Sequence, residues 1–220
     1  MFLKSTAIFS ILTFLSRIFG FARDVLMANY FGITAFADAF TVAFRLPNFF
    51  RNIFAEGAFS AAFVPMFNGI LSTEGKEKAL EFAGNILQIL AFSLVALIVL
   101  FEIYMPFVVM GLAPGFEVNS SKMNLTIYLT SITTPYLFFV SLVTFYASIL
   151  NAFGRFASMA FSPIILNIVM IIALYSFGNS EAEKVEIAAW SVFAGGLFQL
   201  IFILPSLAQK NLWPKLSQFK

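Results

Sequence analysis

Four long stretches of the sequence contain no charged residue, and they constrain the fold more than any other feature. Each has at least 20 residues, most of them apolar. A membrane-crossing helix needs about 20 mostly apolar residues to span the hydrocarbon core, and within lipid its backbone groups must bond to one another. We therefore predict that all four are transmembrane helices. They run from Phe82 to Phe101, Met123 to Gly154, Phe156 to Ser180 and Ile187 to Gln209.

The first 73 residues contain two further apolar segments, but these carry charges. The second is longer than one crossing requires and contains Pro47, Gly57 and Pro65, so we expect a kinked or tilted helix whose last turns leave the membrane. In the last charge-free stretch, Gly195 and Gly196 are expected to let helices approach closely. The sequence thus predicts an all-α integral membrane protein with a bundle of about six transmembrane helices. Their predicted bounds are 2–28, 33–72, 79–111, 122–153, 156–178 and 186–209.

The composition excludes several classes of function. Only 11% of the residues are charged, about half the fraction usual in soluble domains, and a net charge of +2 gives no reason to expect nucleic acid as a partner. Cysteine and histidine are absent, which excludes disulfides, Cys/His zinc sites and a Ser-His-Asp relay. No cofactor is expected. A signal peptide is not expected either, because the first apolar stretch is too long for one and contains Arg17.

The distribution of lysine and arginine predicts that both ends of the chain are cytoplasmic. Cytoplasmic loops carry an excess of these residues. With six spans and a cytoplasmic amino terminus, seven basic residues fall inside, whereas Lys122 and Lys184 fall outside with Arg23 near the boundary. The seven are Lys4, Lys76, Lys78, Arg155, Lys210, Lys215 and Lys220.

Several charged residues lie within or beside the first two apolar segments, where they are costly. An arginine at the centre of a membrane helix costs about 2.5 to 3.5 kcal/mol on insertion scales. Such residues persist where they face a water-filled cavity, a partner charge or a ligand. Those inside the segments are Arg17, Asp38, Arg45 and Arg51, and those nearer the margins are Arg23, Asp24 and Glu56.

Helical geometry gathers these polar residues on shared faces. Residues seven apart lie within about 20° of each other around a helix, so Arg17 shares a face with Asp24. The second helix is predicted to carry a polar strip of Asp38, Arg45, Asn48, Arg51 and Asn52. Guanidinium groups never deprotonate and bind phosphate through two parallel hydrogen bonds. A cluster of them in a hydrated membrane cavity would suit a diphosphate headgroup.

A structural explanation of the same charges remains open. Arg23 and Asp24 would form a pair at the membrane surface, and Arg51 would pair with Glu56 or Asp38. In this interpretation Asp38 is the most probable structural member, as an internal partner of Arg45.

The run from Arg45 to Pro65, RLPNFFRNIFAEGAFSAAFVP, closely resembles the signature of the bacterial lipid II flippases, the MurJ (MviN) family. The run from Ser16 to Asp24, SRIFGFARD, is similar to that family's first helix. Ala113 to Phe116 and Asn151 to Phe156 resemble its loops after the third and fourth helices. The resemblance follows the same order along the whole chain.

The resemblance implies a fold, an activity and a site. The family belongs to the multidrug/oligosaccharidyl-lipid/polysaccharide exporter superfamily, whose members have two helical lobes around a central cavity. They move lipid-linked peptidoglycan precursor from the inner to the outer leaflet of the cytoplasmic membrane by alternating access, so no enzymatic activity is expected. The family's cavity residues match Arg17, Arg23, Asp38, Asn48 and Arg51, with Glu56 in the signature. Together with Arg45 from the polar strip, these form the predicted substrate-binding set.

The resemblance reaches only the first six helices of the family. Residues 1–220 are therefore expected to be the N-terminal transmembrane lobe, with the second lobe absent. The expected partners are lipid II, membrane lipids, and a second lobe or a second copy of the chain.

Three other classes of function remain open from the sequence. A multidrug or ion-coupled exporter of the same superfamily would line its cavity with acids and aromatics, whereas arginines dominate here. A membrane enzyme acting on polyprenyl phosphates would need acid pairs for magnesium or a histidine. A non-transporting fragment or interaction subunit is the alternative that the missing lobe suggests.

Overall fold

The protein is a bundle of helices. The computed structural model describes the backbone of residues 2–55 and 58–215 and the side chains of residues 10–53 and 59–215. Within this part of the chain the helices follow one another through short connections. They are α1 (Phe2–Phe31), α2 (Ala35–Ala55), α3 (Ala58–Thr73), α4 (Lys76–Ile103), α5 (Met105–Leu112), α6 (Ser121–Thr133), α7 (Tyr136–Ala152), α8 (Ala157–Ser176) and α9 (Glu181–Ala208).

Four stretches of helix in the described part of the chain are long and apolar enough to cross a membrane. They are Lys76–Ile103, Ser121–Ala152, Ala157–Ser176 and Glu181–Ala208, and they contain most of each of the four charge-free stretches of the sequence. Helices α1 and α2 have 30 and 21 residues and carry the arginine and aspartate residues of the predicted site. The predicted fold class, an all-α membrane bundle, is confirmed.

Two of the predicted helices are divided in the structure, and a third is described on either side of residues 56–57. The segment 33–72 forms α2 and α3, which flank residues 56–57. The segment 79–111 is interrupted at Tyr104, and 122–153 is interrupted at Thr134 and Pro135. Prolines at 106 and 135 explain the last two interruptions, because a proline has no N–H to donate to the carbonyl four residues before it.

Helix α7 is the centre of the bundle. Every residue from 140 to 150 is buried, and α7 packs against α2, α3, α4, α8 and α9. Helix α8 lies between α1 and α9, and α6 packs against α2.

Glycines bring α9 close to its neighbours, as the sequence predicts. A Cβ on Gly195 would lie 2.5 Å from Leu166 Cδ1, and one on Gly196 would lie 2.7 Å from the Tyr136 ring. Neither distance leaves room for a side chain.

Two large apolar clusters fill the bundle, one toward each end, and a small third one joins α5 to the start of α6. One combines the start of α4 with the later parts of α7 and α9. The other combines α2, the later part of α8 and the first part of α9. Polar side chains of α7, α8 and α9 lie where the two clusters meet, and this junction holds the candidate site.

Candidate functional site

Arg23 is held by two other helices and by its own neighbour in sequence. Its Nη1 donates to Asn167 Oδ1 on α8 at 2.9 Å, and its guanidinium lies 5.6 Å from the centre of the Phe44 ring on α2. Its Nε and Nη2 donate to Asp24 Oδ1 at 3.0 and 2.7 Å. The Arg23 side chain is 17% exposed and that of Asp24 is 63% exposed. The arginine therefore lies at the inner face of α1, and its acidic partner lies at the surface.

Asn167 is the residue that connects this arginine to the bundle, and the sequence did not single it out. It is 6% exposed, and its Nδ2 donates to the Ser16 carbonyl of α1 at 3.3 Å. Gly20 lies beside this contact, and a Cβ there would make an ordinary van der Waals contact with Asn167 Nδ2 at 3.5 Å. In the sequence, Asn167 could have been noticed because it is a single amide in α8 with three apolar residues before it and three after it.

Arg51 lies in a different environment, on the wall of an internal cavity of about 190 Å³. It is partly buried. Among the described side chains it has no hydrogen-bond or ion-pair partner. Five helices contribute to the cavity. It is lined by Thr13, Ser16, Arg51, Val140, Val143, Thr144, Ala147, Met159, Ala160, Ser162, Pro163 and Gln199.

Gln199 is the most deeply buried polar side chain in that lining, and sequence reasoning missed it as well. It is 2% exposed. Its Nε2 donates to the Ser162 carbonyl at 2.8 Å, whereas its Oε1 accepts no hydrogen bond from any described group. Arg51 is therefore the one charged residue in a lining that otherwise combines apolar side chains with hydroxyls and the Gln199 amide.

Two members of the predicted set lie away from the cavity, with partners of their own. Asp38 forms a salt bridge with Lys122 of α6, so the predicted pairing of Asp38 with Arg45 is wrong. The first turn of α2 lies beside the first turn of α6, which brings the lysine within reach. Arg45 Nη1 donates instead to the Leu112 carbonyl at 3.1 Å, at the end of α5, where helix carbonyls lack intrahelical partners.

The remaining members are less constrained. Arg17 is exposed and Asn48 is partly buried, and within the described residues neither has a hydrogen-bond partner. Glu56 lies outside the described residues. The alternative pairing of Arg51 with Glu56 therefore stays a prediction. Arg51 does not pair with Asp38, whose salt bridge is with Lys122.

The family model described as "Lipid II flippase MurJ" matches residues 27–219. The chain belongs to the lipid II flippase MurJ family. The chain is 40% identical over 209 residues to a probable lipid II flippase MurJ of Rickettsia prowazekii, which covers 95% of this chain and 41% of the relative. The lipid II flippase MurJ of Burkholderia cenocepacia is 35% identical over 202 residues, with coverage of 92% and 39%. The chain thus spans about two fifths of the length of these MurJ relatives.

A solved MurJ structure has the same fold over nearly the whole chain. It is described as the lipid II flippase MurJ in an inward closed conformation, and it matches with a TM-score of 0.77 and 30% sequence identity. The match covers 91% of this chain and 42% of the solved one. The bundle described above therefore corresponds to one part of a larger MurJ architecture.

Proposed function

We propose that this chain supplies the N-terminal lobe of a transporter that moves lipid II from the inner to the outer leaflet of the bacterial cytoplasmic membrane. The observation that carries the proposal is Arg51, a guanidinium on the wall of an internal cavity without an acceptor among the described side chains. An arginine inside a membrane bundle is costly unless it is paired or hydrated. Guanidinium binds phosphate through two parallel hydrogen bonds, and a lipid-linked diphosphate carries such groups.

The proposed substrate contacts are a subset of the predicted ones. Arg51 and Arg23 would bind the diphosphate, with Arg23 oriented by Asn167. Arg17 and Asn48 would extend the site because neither has a hydrogen-bond partner among the described residues. Asp38 and Arg45 are proposed to have structural roles, because each already binds another helix. Glu56 remains a proposed site residue on the strength of the signature alone.

The proposed mechanism is alternating access without covalent chemistry. The substrate would bind in a cavity open to one side, and relative movement of two lobes would expose the same cavity to the other side. This requires a partner for the present chain, either a second lobe or a second copy. The match covers about 41% of the Rickettsia relative, whose remaining length would supply such a lobe, and this supports the requirement for a partner.

Both ends of the chain are proposed to be cytoplasmic. Lys76 Nζ donates to the Lys210 carbonyl at 2.9 Å, and Lys215 Nζ lies 3.5 Å from Glu77 Oε1. The basic residues at the start of α4 and after α9 are therefore at the same end of the bundle, which supports the positive-inside assignment.

The test is growth rescue of bacteria depleted of their own lipid II flippase. The chain would be expressed alone and together with a separate second lobe, with membrane insertion verified. We expect rescue with the second lobe and loss of rescue by Arg51→Ala. Arg155→Ala, which removes an exposed arginine between α7 and α8, is the matched control and should rescue normally.

Other results have distinct meanings. Rescue by the chain alone would assign the partner role to a second copy. Full rescue by Arg51→Ala would show that the proposed site is wrong. Failure of both combinations, despite insertion of both proteins, would favour a non-transporting interaction subunit.

A further inference from the structure

A long apolar groove runs along the surface that α8 and α9 form together. Its volume is about 1120 Å³. Small side chains make its deeper part, since Ser191 is buried and Ala173 and Ala194 are partly buried. Large side chains such as Ile172 and Phe198 stand exposed around them. The groove is therefore a concave apolar surface that faces the surroundings of the bundle and not its interior.

The groove is as long as the hydrocarbon core is thick, and its charges lie at one end. On α9 it extends from Glu183 to Phe202, which is about 29 Å at 1.5 Å per residue, against a core of about 30 Å. Glu183 and Glu186 are the charged residues of its described lining, and no charged residue follows them on α9. They therefore lie at the membrane surface. Trp190, one turn deeper and 51% exposed, lies at the level where tryptophan is enriched.

Neither carboxylate has a basic partner among the described residues. Glu186 Oε1 accepts a hydrogen bond from the Tyr128 hydroxyl at 2.6 Å. Glu183 Oε2 accepts one from the backbone N–H of Asn179 at 2.8 Å. Each glutamate thus retains an oxygen that can accept from a further donor, and both residues are at least partly exposed.

Lys184 lies between the two glutamates in sequence but forms no salt bridge with either in the described part of the chain. Its Nζ donates to the carbonyls of Leu174 and Phe177 at 2.8 and 3.3 Å. The same nitrogen lies 3.9 Å from the centre of the Tyr30 ring. The lysine therefore binds the carboxyl end of α8, and this end of the groove stays anionic.

These charges discriminate among the molecules that could fill an apolar groove in a membrane. An anionic headgroup, including the diphosphate of a lipid-linked precursor, would be repelled by the two carboxylates. A second copy packed through the same groove about a two-fold axis would bring its own glutamates to the same side of the membrane. A primary ammonium supplies a positive charge and three N–H donors, and its hydrogen bonds to carboxylates are charge-assisted. A phospholipid with such a headgroup also supplies the apolar chains that the groove requires.

We propose that the groove binds a phospholipid with a primary ammonium headgroup, with the ammonium at Glu183 and Glu186 and the acyl chains beside Trp190. The indole N–H of Trp190 has no acceptor among the described residues and can donate to a phosphate or ester oxygen of the same lipid. The site is separate from the cavity that holds Arg51, so the inference does not depend on the proposed function.

The test uses quenching of tryptophan fluorescence by lipids with brominated acyl chains. The sequence has two tryptophans, so Trp213→Phe leaves Trp190 as a reporter in the groove. The chain would be reconstituted into unbrominated phosphatidylcholine vesicles that contain brominated phosphatidylethanolamine, phosphatidylcholine or phosphatidylglycerol with the same chains. Binding at Trp190 should favour the ethanolamine lipid about threefold over phosphatidylcholine, which has the same net charge but no N–H donor. The preference over the anionic lipid should be about tenfold, as two exposed ion pairs allow.

Variants assign the preference to the two carboxylates. Glu183→Gln/Glu186→Gln should make quenching by the three lipids equal. Glu117→Gln makes the same replacement at an exposed position outside the groove, at the same end of the bundle, and should keep the preference. Trp190→Phe leaves Trp213, which follows α9 at the other end of the bundle, as the reporter. That variant should show no preference for the ethanolamine lipid.

Each of four other results would overturn the inference. Equal quenching by phosphatidylethanolamine and phosphatidylcholine would mean that the carboxylates repel anions and bind no ammonium. An unchanged preference in the double variant would assign the preference to other residues. Weak quenching of Trp190 by all three lipids would mean that a protein surface, from a second copy or a second lobe, covers the groove. Displacement of the brominated ethanolamine lipid by an equal amount of polyprenyl diphosphate would assign the groove to the tail of that lipid.

Discussion

Arg23 and Arg51 differ in the hydrogen-bond acceptors that the surrounding residues offer to their guanidinium groups. Arg23 donates to the neutral amide of Asn167 and to the largely exposed Asp24. A neutral acceptor fixes the direction of the guanidinium without cancelling its charge, and a carboxylate at the surface is screened by water. Arg23 is therefore oriented and still cationic, whereas Arg51 is available for a ligand.

We predict that Asn167→Leu weakens both stability and function. The change leaves Arg23 Nη1 without its acceptor on α8 and removes the bond to the Ser16 carbonyl. The expected cost is about 1–3 kcal/mol for an unsatisfied buried donor, which lowers the midpoint of thermal unfolding in detergent. Growth rescue with a second lobe should decline as well.

A matched replacement separates this effect from a general effect of leucine. Asn124→Leu makes the same change on the exposed side of α6 and should keep the original unfolding midpoint. If Asn167→Leu unfolded at the same temperature as Asn124→Leu, the hydrogen bonds of Asn167 with Arg23 and Ser16 would not contribute to the free energy of unfolding.

The sequence predicts the arginines of the site better than their partners. An arginine in an apolar segment is recognisable because its cost is large and independent of context. Asn167 and Gln199 carry no such cost, since a single amide in a membrane helix commonly bonds to a neighbouring helix. The pairing of Asp38 with Arg45 failed for a related reason. Periodicity within one helix shows which residues share a face, but it gives no information about Lys122, 84 positions away.

At the scale of the helix, proline has two different outcomes in this chain. Pro47, Pro65, Pro163 and Pro205 lie inside continuous helices. Helices also end beside Pro106 and at Pro135. Neighbouring helices can satisfy the carbonyl that a proline leaves free, so the tertiary surroundings decide between a kink and an interruption. The hydrophobic pattern predicted the apolar segments and did not predict where two of them divide.

The close approach of α9 to α7 leads to a prediction about Gly196. A Cβ at this position would lie 2.7 Å from the Tyr136 ring and 3.0 Å from Phe139 Cβ. We expect Gly196→Ala to destabilise the protein by about 1–3 kcal/mol, the usual cost of overpacking. Thermal unfolding of the purified proteins in detergent measures the difference.

Gly69→Ala is the control for this change. Gly69 is also inside a helix, but no atom lies within 4 Å of its added Cβ, and alanine favours a helix by about 1 kcal/mol over glycine. It should keep or raise the unfolding midpoint. A Gly196→Ala protein as stable as the original would mean that α7 and α9 move apart without cost.

At the scale of the whole molecule, the cavity that holds Arg51 lies beside both large apolar clusters, with Val140 of one and Val143 of the other in its lining. Leu80 and Leu150 belong to the cluster near the start of α4, and Leu129 and Leu174 belong to the other. Composition predicted that such a chain resides in a bilayer, but it did not predict this division, because both clusters use the same residue types. The residues after α9 close one end of the bundle, where Leu212 is buried and Lys215 N donates to the Leu80 carbonyl at 3.0 Å. The described residues after α9 are therefore held against the start of α4 as far as Lys215.

That arrangement makes the orientation of the molecule testable with single cysteines, since the sequence has none of its own. Glu117 lies between α5 and α6, and Glu74 lies between α3 and α4, at opposite ends of the bundle, and both are exposed. With cytoplasmic ends, a membrane-impermeant maleimide should label Glu117→Cys in intact cells and should label Glu74→Cys only after the membrane is permeabilised. Both variants replace the same residue type outside the helices, so unequal labelling reports the side of the membrane and not the chemistry of the site. Labelling of Glu74→Cys in intact cells would reverse the proposed orientation.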